Sequence, residues 1–495
     1  MSRVSYTENM RRIRWAMRTV HVRWQIAAIC LGFVGGVWVA QFEAARNFGA
    51  LPWVLCACLL LIASLWKRKA WLLATVFLAG TLFGIARGSA VQTQLGKYSG
   101  LYEKVITLRG KVADDMDINK RGESVLRLSD VQYDGHKLAG MVWVVLSDKA
   151  PIERSDEVTV RGKLDHGFGT FAGSIYSAQL VKVQRAQPGD AALHVRDWFA
   201  GNVRSVLSEP EASLGVGFLV GQRRALPEDL ANSLKVAGLM HIVVASGYNL
   251  TILVRLARRG LEKISKYLTV LFSGSLIVSF IAITGMSPSM SRAGLVAGLS
   301  LAAWYYGRTI HPIVLLAVAM GVTVAVNPSY AWGDIGWLLS FSAFAGVMIC
   351  APLLQAYYFG NQKPGLLRQV VGETVAAWLF TLPILLVVFG TMSNVAVLAN
   401  LLIVPLIPLA MLLTFVAGLV HVAVPFIAPF FAFPAEALLS YMVQIAKWTA
   451  NLDWAQRDVH LAWWQGVLFY VGLAIFCAYM WYKTKHSLKG DSIID

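Results

Sequence analysis

Residues 221–249 read GQRRALPEDLANSLKVAGLMHIVVASGYN. The stretch opens as a polar turn with Arg223, Arg224 and Pro227 and runs on into a hydrophobic segment. That segment carries Gly238, His241, Ser246, Gly247 and Asn249 where a plain membrane anchor carries Leu or Ile. Read as one helix, it places Gly238, His241, Ala245 and Asn249 on a single face by i, i+3/i+4 spacing. The face is small and polar, and the others are Leu, Ile and Val. An unpaired polar group in lipid is strongly penalised, so the face belongs against other helices or a water-filled path. Two readings follow: a packing face, with Gly and Ala for close approach and His and Asn as interhelical glue, or the wall of a pathway.

Working outward, the 495 residues are 57% hydrophobic and only 15% charged, where soluble chains carry about a quarter charged residues. Several apolar runs are long enough to span a bilayer, which predicts a polytopic α-helical membrane protein. The net charge of +16 is first explained by Lys and Arg in cytoplasmic loops, and only then by an anionic partner. Cys30, Cys56, Cys58, Cys350 and Cys477 all lie in apolar stretches, and Cys56 and Cys58 lack the paired companions of a zinc site. The first apolar run follows a basic stretch without a clear cleavage site and reads as a retained anchor.

Apolar runs near 24–39, 51–66 and 70–85 come first, with Lys67, Arg68 and Lys69 between the last two. The second and third are short enough to form a hairpin instead of two full spans. Residues 100–186 then change character. Short alternating runs such as VITLRGKV from Val105 and MVWVVL from Met141, separated by Asp, Gly and Lys turns, predict about five antiparallel strands. That count suits a small all-β, OB-fold-like soluble domain inserted in the membrane protein. Its acids and bases are nearly balanced, so it is no basic patch. Trp143, Phe168, Phe171 and Tyr176 suit either base stacking or a small core.

Residues 187–232 read as an amphipathic connector with Trp198 and Phe199, lying along the membrane boundary or packed on a bundle. From 233 the spans crowd together, near 233–257, 268–286, 291–307, 311–328, 337–357, 371–390, 394–420, 426–450 and 463–482. Arg255, Arg258, Arg259, Lys263, Lys266, Arg308, Lys363, Arg368, Lys483, Lys485 and Lys489 fall on alternate loops, whereas the intervening loops carry little beyond Lys447 and Arg457. The positive-inside rule then puts both termini in the cytoplasm and the strand domain outside. The expected organisation is membrane hairpins to 99, strand domain 100–186, connector 187–232, multi-span domain 233–485 and a cytoplasmic tail 486–495.

Three further places break the apolar pattern. SPSMSR from Ser287 opens a span with Pro288 and Arg292, and DIGWLLSFS from Asp334 opens another with Ser340. Between 394 and 408, Asn400, Pro405 and Pro408 interrupt a run, as broken helices around a path do. A charge so close to the membrane needs a partner or water, which makes Asp334 a candidate partner for Arg292. The pair reads either as a tie between two helix ends or as part of a substrate path.

The residues Gly221, Leu226 and Pro227, then Gly238, Leu239 and His241, then Ser246, Gly247 and Asn249 resemble the competence domain of the ComEC family. Arg292-Ala293 and Trp337-Leu338-Leu339-Ser340-Phe341 are similar to further motifs of that domain. Many members carry a second His where this chain has Asn249. The resemblance implies a channel that brings transforming single-stranded DNA across the bacterial cytoplasmic membrane, with an OB-like module before the bundle. It implies a path lined by His241, Ser246, Asn249, Arg292, Asp334 and Ser340, with Gly221, Pro227, Gly238, Gly247 and Pro288 shaping the turns. Many members continue into a metallo-β-lactamase-like domain. This chain has no His-x-His-x-Asp-His run and no GxxxxGK[ST] loop. The expectation is therefore a non-enzymatic form lacking that domain, with no catalytic residue, metal or cofactor. Its expected partners are single-stranded DNA, the lipid membrane, an outer DNA receptor and a cytoplasmic ATP-driven translocase, with a nuclease either acting in trans or absent. The alternative is a transporter or flippase for another anionic solute, and an intramembrane His–Ser enzyme fits least because His241 and Ser246 are poorly spaced on a helix.

Overall fold

The computed structural model describes residues 21–43, 49–67, 72–119, 121–147, 151–187, 189–222, 226–243, 247–285, 288–360 and 365–485. Ser246, Ser287, Arg223, Arg224 and the tail 486–495 lie outside the described residues. The chain divides into two compact units, 1–190 with 314–337, and 191–313 with 338–495. Among the described residues eight helices are long and apolar enough to cross a membrane. The protein is a polytopic helical membrane protein with an inserted β domain.

In the first unit, α1 (Val22–Val39) and α3 (Leu72–Leu95) press together, with α2 (Ala50–Lys67) between them in sequence. The contact is made by glycines four apart on each helix. A Cβ on Gly32 would lie 2.1 Å from the Phe77 carbonyl oxygen, and one on Gly36 1.9 Å from that of Thr81. Gly80 and Gly84 answer at 2.2 and 2.1 Å from the carbonyl oxygens of Ile29 and Phe33. Backbone therefore lies on backbone, the close approach that small-xxx-small pairs permit in lipid. The helix Pro312–Val326 joins this group, with Gly321 against Cys30 and the Ala325 carbonyl accepting from Arg87 Nε.

The β domain is a closed barrel of β1 (Val105–Val112), β2 (Ser124–Tyr133), β3 (Met141–Leu146), β4 (Glu157–His166) and β5 (Phe171–Gln184). Antiparallel pairing runs from β3 to β2 to β1 to β4 to β5, and a parallel β5–β3 pairing closes the ring. This is the Greek-key arrangement expected of an OB-like barrel. Strict alternation puts Ile106, Leu108 and Val112 of β1 inside, with Leu126, Leu128, Val142, Val144, Val158, Val160 and Ile175. Trp143, Phe168 and Phe171 do not fill this core. They cluster on the outer wall with ring centroids 5.2–5.5 Å apart, and Arg127 lies over Trp143 while pairing with Asp114 at 2.8 Å. Arg154 and Ser155 both hydrogen-bond Asp190, fixing the strand that leaves the barrel.

The second unit starts with α4 (Ala191–Arg204), whose Phe199 and Val203 meet Gly418, so this part of the connector packs as a helix. α5 (Glu211–Val220) is not amphipathic: every residue from Ala212 to Val220 is buried. The span expected at 233–257 is not one helix. α6 (Glu228–Val236), a single turn Met240–Val243 and α7 (Gly247–Leu261) replace it. The break has a local cause. Gly238 takes φ 71°, and the N–H groups of Gly238 and Leu239 return to the carbonyls of Lys235 and Leu234 at 3.1 and 2.7 Å. This double bond pattern ends a helix at a left-handed glycine. Gly221 ends α5 in the same left-handed region, and Pro227 immediately precedes α6.

α8 (Lys266–Thr284), α9 (Pro288–Tyr305) and α10 (Ile335–Ala345) follow, α10 continuing through a π turn Gly346–Cys350 into Ala351–Phe359. α11 (Leu366–Val388) packs on that π turn, where a Cβ on Gly346 would lie 2.5 Å from the Ala376 carbonyl oxygen. The interruption expected near 394–408 is present: α12 (Ala396–Ile403) passes through a 3-10 turn at Pro405 into α13 (Ile407–Ala423). Asn400, however, is buried and donates to its own helix at Ala396, so it seals backbone and lines no path. α14 (Ala428–Ala450) and α15 (Trp463–Thr484) complete the unit. Exposed Trp448, Trp454, Trp463 and Trp464 gather around the link between α14 and α15, while Tyr479, Trp481 and Tyr482 are exposed at the far end of α15. Such aromatic residues mark the two faces of a bilayer.

Candidate functional site: a guanidinium inside the helical unit

Three polar interruptions of the sequence meet at Arg292. α9 carries it from a first turn that also holds Ser289, α10 supplies Ser340 and α7 begins at Gly247. Arg292 Nε donates to Ser340 Oγ at 2.6 Å, and Ser340 Oγ lies 3.3 Å from Ser289 Oγ. The guanidinium stands over the rings of Phe344 and Phe341, 5.3 and 6.0 Å from their centroids. On its remaining side it lies close against Gly247: a Cβ there would fall 3.0 Å from Nη2 and 2.9 Å from the Ala293 Cβ. One cation is thus oriented by a serine and two ring faces, with Nη2 packed against a glycine. Cation–π contact and a charge-assisted hydrogen bond are a sufficient cradle for a partly buried arginine.

His241 sits on the single turn after Gly238. Its imidazole stands beside the Gly238 backbone and its surface is exposed. Asn249 does the opposite. It is completely buried and donates Nδ2 to the carbonyls of Phe218 and Ile242 at 3.1 and 3.3 Å. The expectation that Asn249 lines a path is corrected: its amide ties α5 and the His241 turn to α7. The same helix break removes the single face on which Gly238, His241 and Asn249 were to align. Asp334 belongs to the first unit, where Oδ1 accepts the Trp337 N–H at 2.7 Å and caps the start of α10. The side chain of Pro288 lies outside the described residues.

The sequence reading missed Glu373, an acid two turns into the apolar helix α11. Gln369 Nε2 donates to its Oε1 at 2.8 Å, and Tyr248 of the Ser-Gly-Tyr-Asn motif lies within electrostatic reach of both Glu373 and Arg255. A lone carboxylate in an apolar run was a visible signal. Among the described residues no group of three His, Cys, Asp or Glu side chains is placed to hold a metal ion.

The family model described as Competence protein matches residues 218–484, more than half of the chain and the whole Arg292 cradle. The chain belongs to the competence protein family. It is 24% identical over 316 residues to ComE operon protein 3 of Bacillus subtilis (strain 168), an alignment covering 61% of this chain and 39% of that protein. No solved structure matches it. Within this competence protein, the family match takes in α6 to α15 and leaves the barrel outside.

Proposed function

We propose that the chain conducts single-stranded DNA across the bacterial cytoplasmic membrane during natural transformation. The observation that carries the reading is Arg292, a cation held by Ser340 and two phenylalanine rings and packed against Gly247, inside the part of the chain that belongs to the competence family. A phosphate meeting the outer guanidinium nitrogens leaves the Ser340 bond in place, so the cation stays aimed while the strand passes. One cation per step holds a phosphate briefly and without base preference, which suits conduction better than storage. Tyr248, His241 and Ser289 offer exchangeable hydrogen bonds along the way.

The ends of the helices support an orientation. Arg255, Arg259, Lys263, Lys266, Arg308, Lys483 and Lys485 fall on alternate links, and the tryptophan-rich link carries only Lys447 and Arg457. This pattern supports an orientation with both termini in the cytoplasm and the barrel outside, where a DNA receptor would deliver the strand. A cytoplasmic ATP-driven translocase supplies the pull, a separate nuclease degrades the other strand, and the chain itself is not an enzyme.

The test is uptake of radiolabelled DNA into the cytoplasm of a deletion strain carrying variants at normal expression. Arg292→Ala is expected to abolish uptake, and Arg292→Lys to keep part of it, since Lys retains a point charge but not the fork. Normal uptake by Arg292→Ala rejects the reading. Loss of export or import of another anionic solute, with DNA uptake intact, supports a transporter instead.

A further inference from the structure

The turn between α13 and α14 differs from the other links of the second unit. No Asp, Glu, Lys or Arg occurs anywhere between Glu373 and Glu436. The link after α7 holds Lys263, the link after α9 holds Arg308, and α15 ends at Lys483 and Lys485. Here the sequence is HVAVPFIAPFFAF from His421. Its apolar side chains are turned out: Phe426 is 93% exposed, Phe430 80% and Phe433 72%. These three follow one another at i, i+4 and i+7, continuing the outward stripe of Tyr441 and Trp448 along α14.

The backbone of this turn needs little from water. The Val424 N–H bonds the Val420 carbonyl at 2.7 Å, Ile427 bonds Val424 at 3.2 Å, and Ala428 bonds the Pro425 carbonyl. Positions 425 and 429 are prolines, which carry no N–H. Unpaired backbone donors are what keep ordinary loops out of hydrocarbon, and between positions 424 and 429 five of the six are bonded or absent. Its depth also fits. At 1.5 Å per residue, Phe430 lies about 27 Å along α14 from Trp448, and Tyr482 about 27 Å along α15 from Trp464. The turn thus reaches the aromatic boundary of the acyl layer, where a water-facing loop would carry bases.

We propose that residues 422–433 form a lipid-immersed turn whose partner is the acyl layer of the bilayer, so that the α13–α14 hairpin ends inside the membrane and does not emerge as a cytoplasmic loop. The test uses full-length protein with its five native cysteines replaced, reconstituted in phosphatidylethanolamine–phosphatidylglycerol vesicles and spin-labelled at Phe426→Cys or at Lys263→Cys. Collision with oxygen, which concentrates in lipid, is compared with collision with a water-soluble nickel chelate. At position 426 oxygen is expected to exceed the chelate several-fold, with the reverse at 263. Chelate access at 426 equal to that at 263 overturns the proposal. Shielding from both probes also overturns it and points to a second protein surface over the turn. Phe430→Cys, one helical turn away, reads the same face if Phe426→Cys does not fold.

Discussion

Glycine admits different neighbours in the two units. On α1 and α3, Gly32, Gly36, Gly80 and Gly84 bring two apolar backbones into contact and leave no space. At the start of α7, Gly247 lets a guanidinium and the Ala293 side chain come close, 3.0 and 2.9 Å from where its Cβ would stand. The same missing side chain serves helix packing where the facing atom is a carbonyl, and the seating of a cation where the facing atom is a charged nitrogen. A membrane protein's small residues therefore have to be read by what lies opposite.

Variants can break or sharpen that contrast. The largest effect is expected from Gly36→Leu, because its Cβ already lies 1.9 Å from a backbone oxygen that cannot turn aside. Overpacking a core costs about 1–3 kcal/mol when side chains can adjust, and more is expected here. Yield of monodisperse protein in detergent should fall at least about tenfold, and an unchanged yield would mean that the two helices part easily. Gly247→Val is expected to lower yield less than Gly36→Leu does, since the Cβ meets side-chain atoms of Ala293 and Arg292 at 2.9 and 3.0 Å and no backbone, and to lower DNA uptake about tenfold, equivalent to ~1.4 kcal/mol, by pushing the guanidinium out of line. Equal losses of yield and uptake would make Gly247 a packing glycine like Gly36.

Ser340→Ala removes the 2.6 Å bond to Arg292 Nε. Water entering beside the guanidinium replaces part of it, so uptake should fall only about threefold, with Ser340→Thr restoring it. The smallest effect is expected on the barrel surface. Lys163 holds the Glu103 carboxyl below the usual carboxylate range, by hydrogen bond first and charge second. That contribution is present above the ordinary carboxylate pKa and is lost as pH falls through the lowered one. Both groups are fully exposed, so Glu103→Gln should lower melting at neutral pH only slightly and bring wild type and variant together as the pH falls.

The barrel was legible because alternation in β1, β2 and β3 is a local signal that burial enforces residue by residue. The Arg292–Ser340 encounter was half legible: both residues stood out as polar interruptions, but only tertiary structure decides that Arg292 reaches a serine. Asn249 misled because the face containing it assumed an unbroken helix, and a left-handed Gly238 inside an apolar run gives no compositional warning. Asn249 is buried where the carbonyl of Phe218, in the last turn of α5, and that of Ile242, after the break, both accept from its amide. The α1–α3 contact was written in the Gly32-x-x-x-Gly36 and Gly80-x-x-x-Gly84 spacings and went unused, as did the lone acid Glu373.

The π turn Gly346–Cys350 has a mechanical meaning. It holds one residue more than an α-helical turn accommodates, so the segment bearing Ser340, Phe341 and Phe344 is phased against the segment Ala351–Phe359 by that extra residue. An α-helix advances about 100° per residue. Deleting one residue from 346–350 would straighten the rod and swing Ser340 and both rings about a quarter turn away from Arg292, with α9 and α11 left where they are. The aim of the arginine is therefore set partly from outside the cradle, by the pitch of a helix that begins between about half a turn and two turns beyond the residues that touch it.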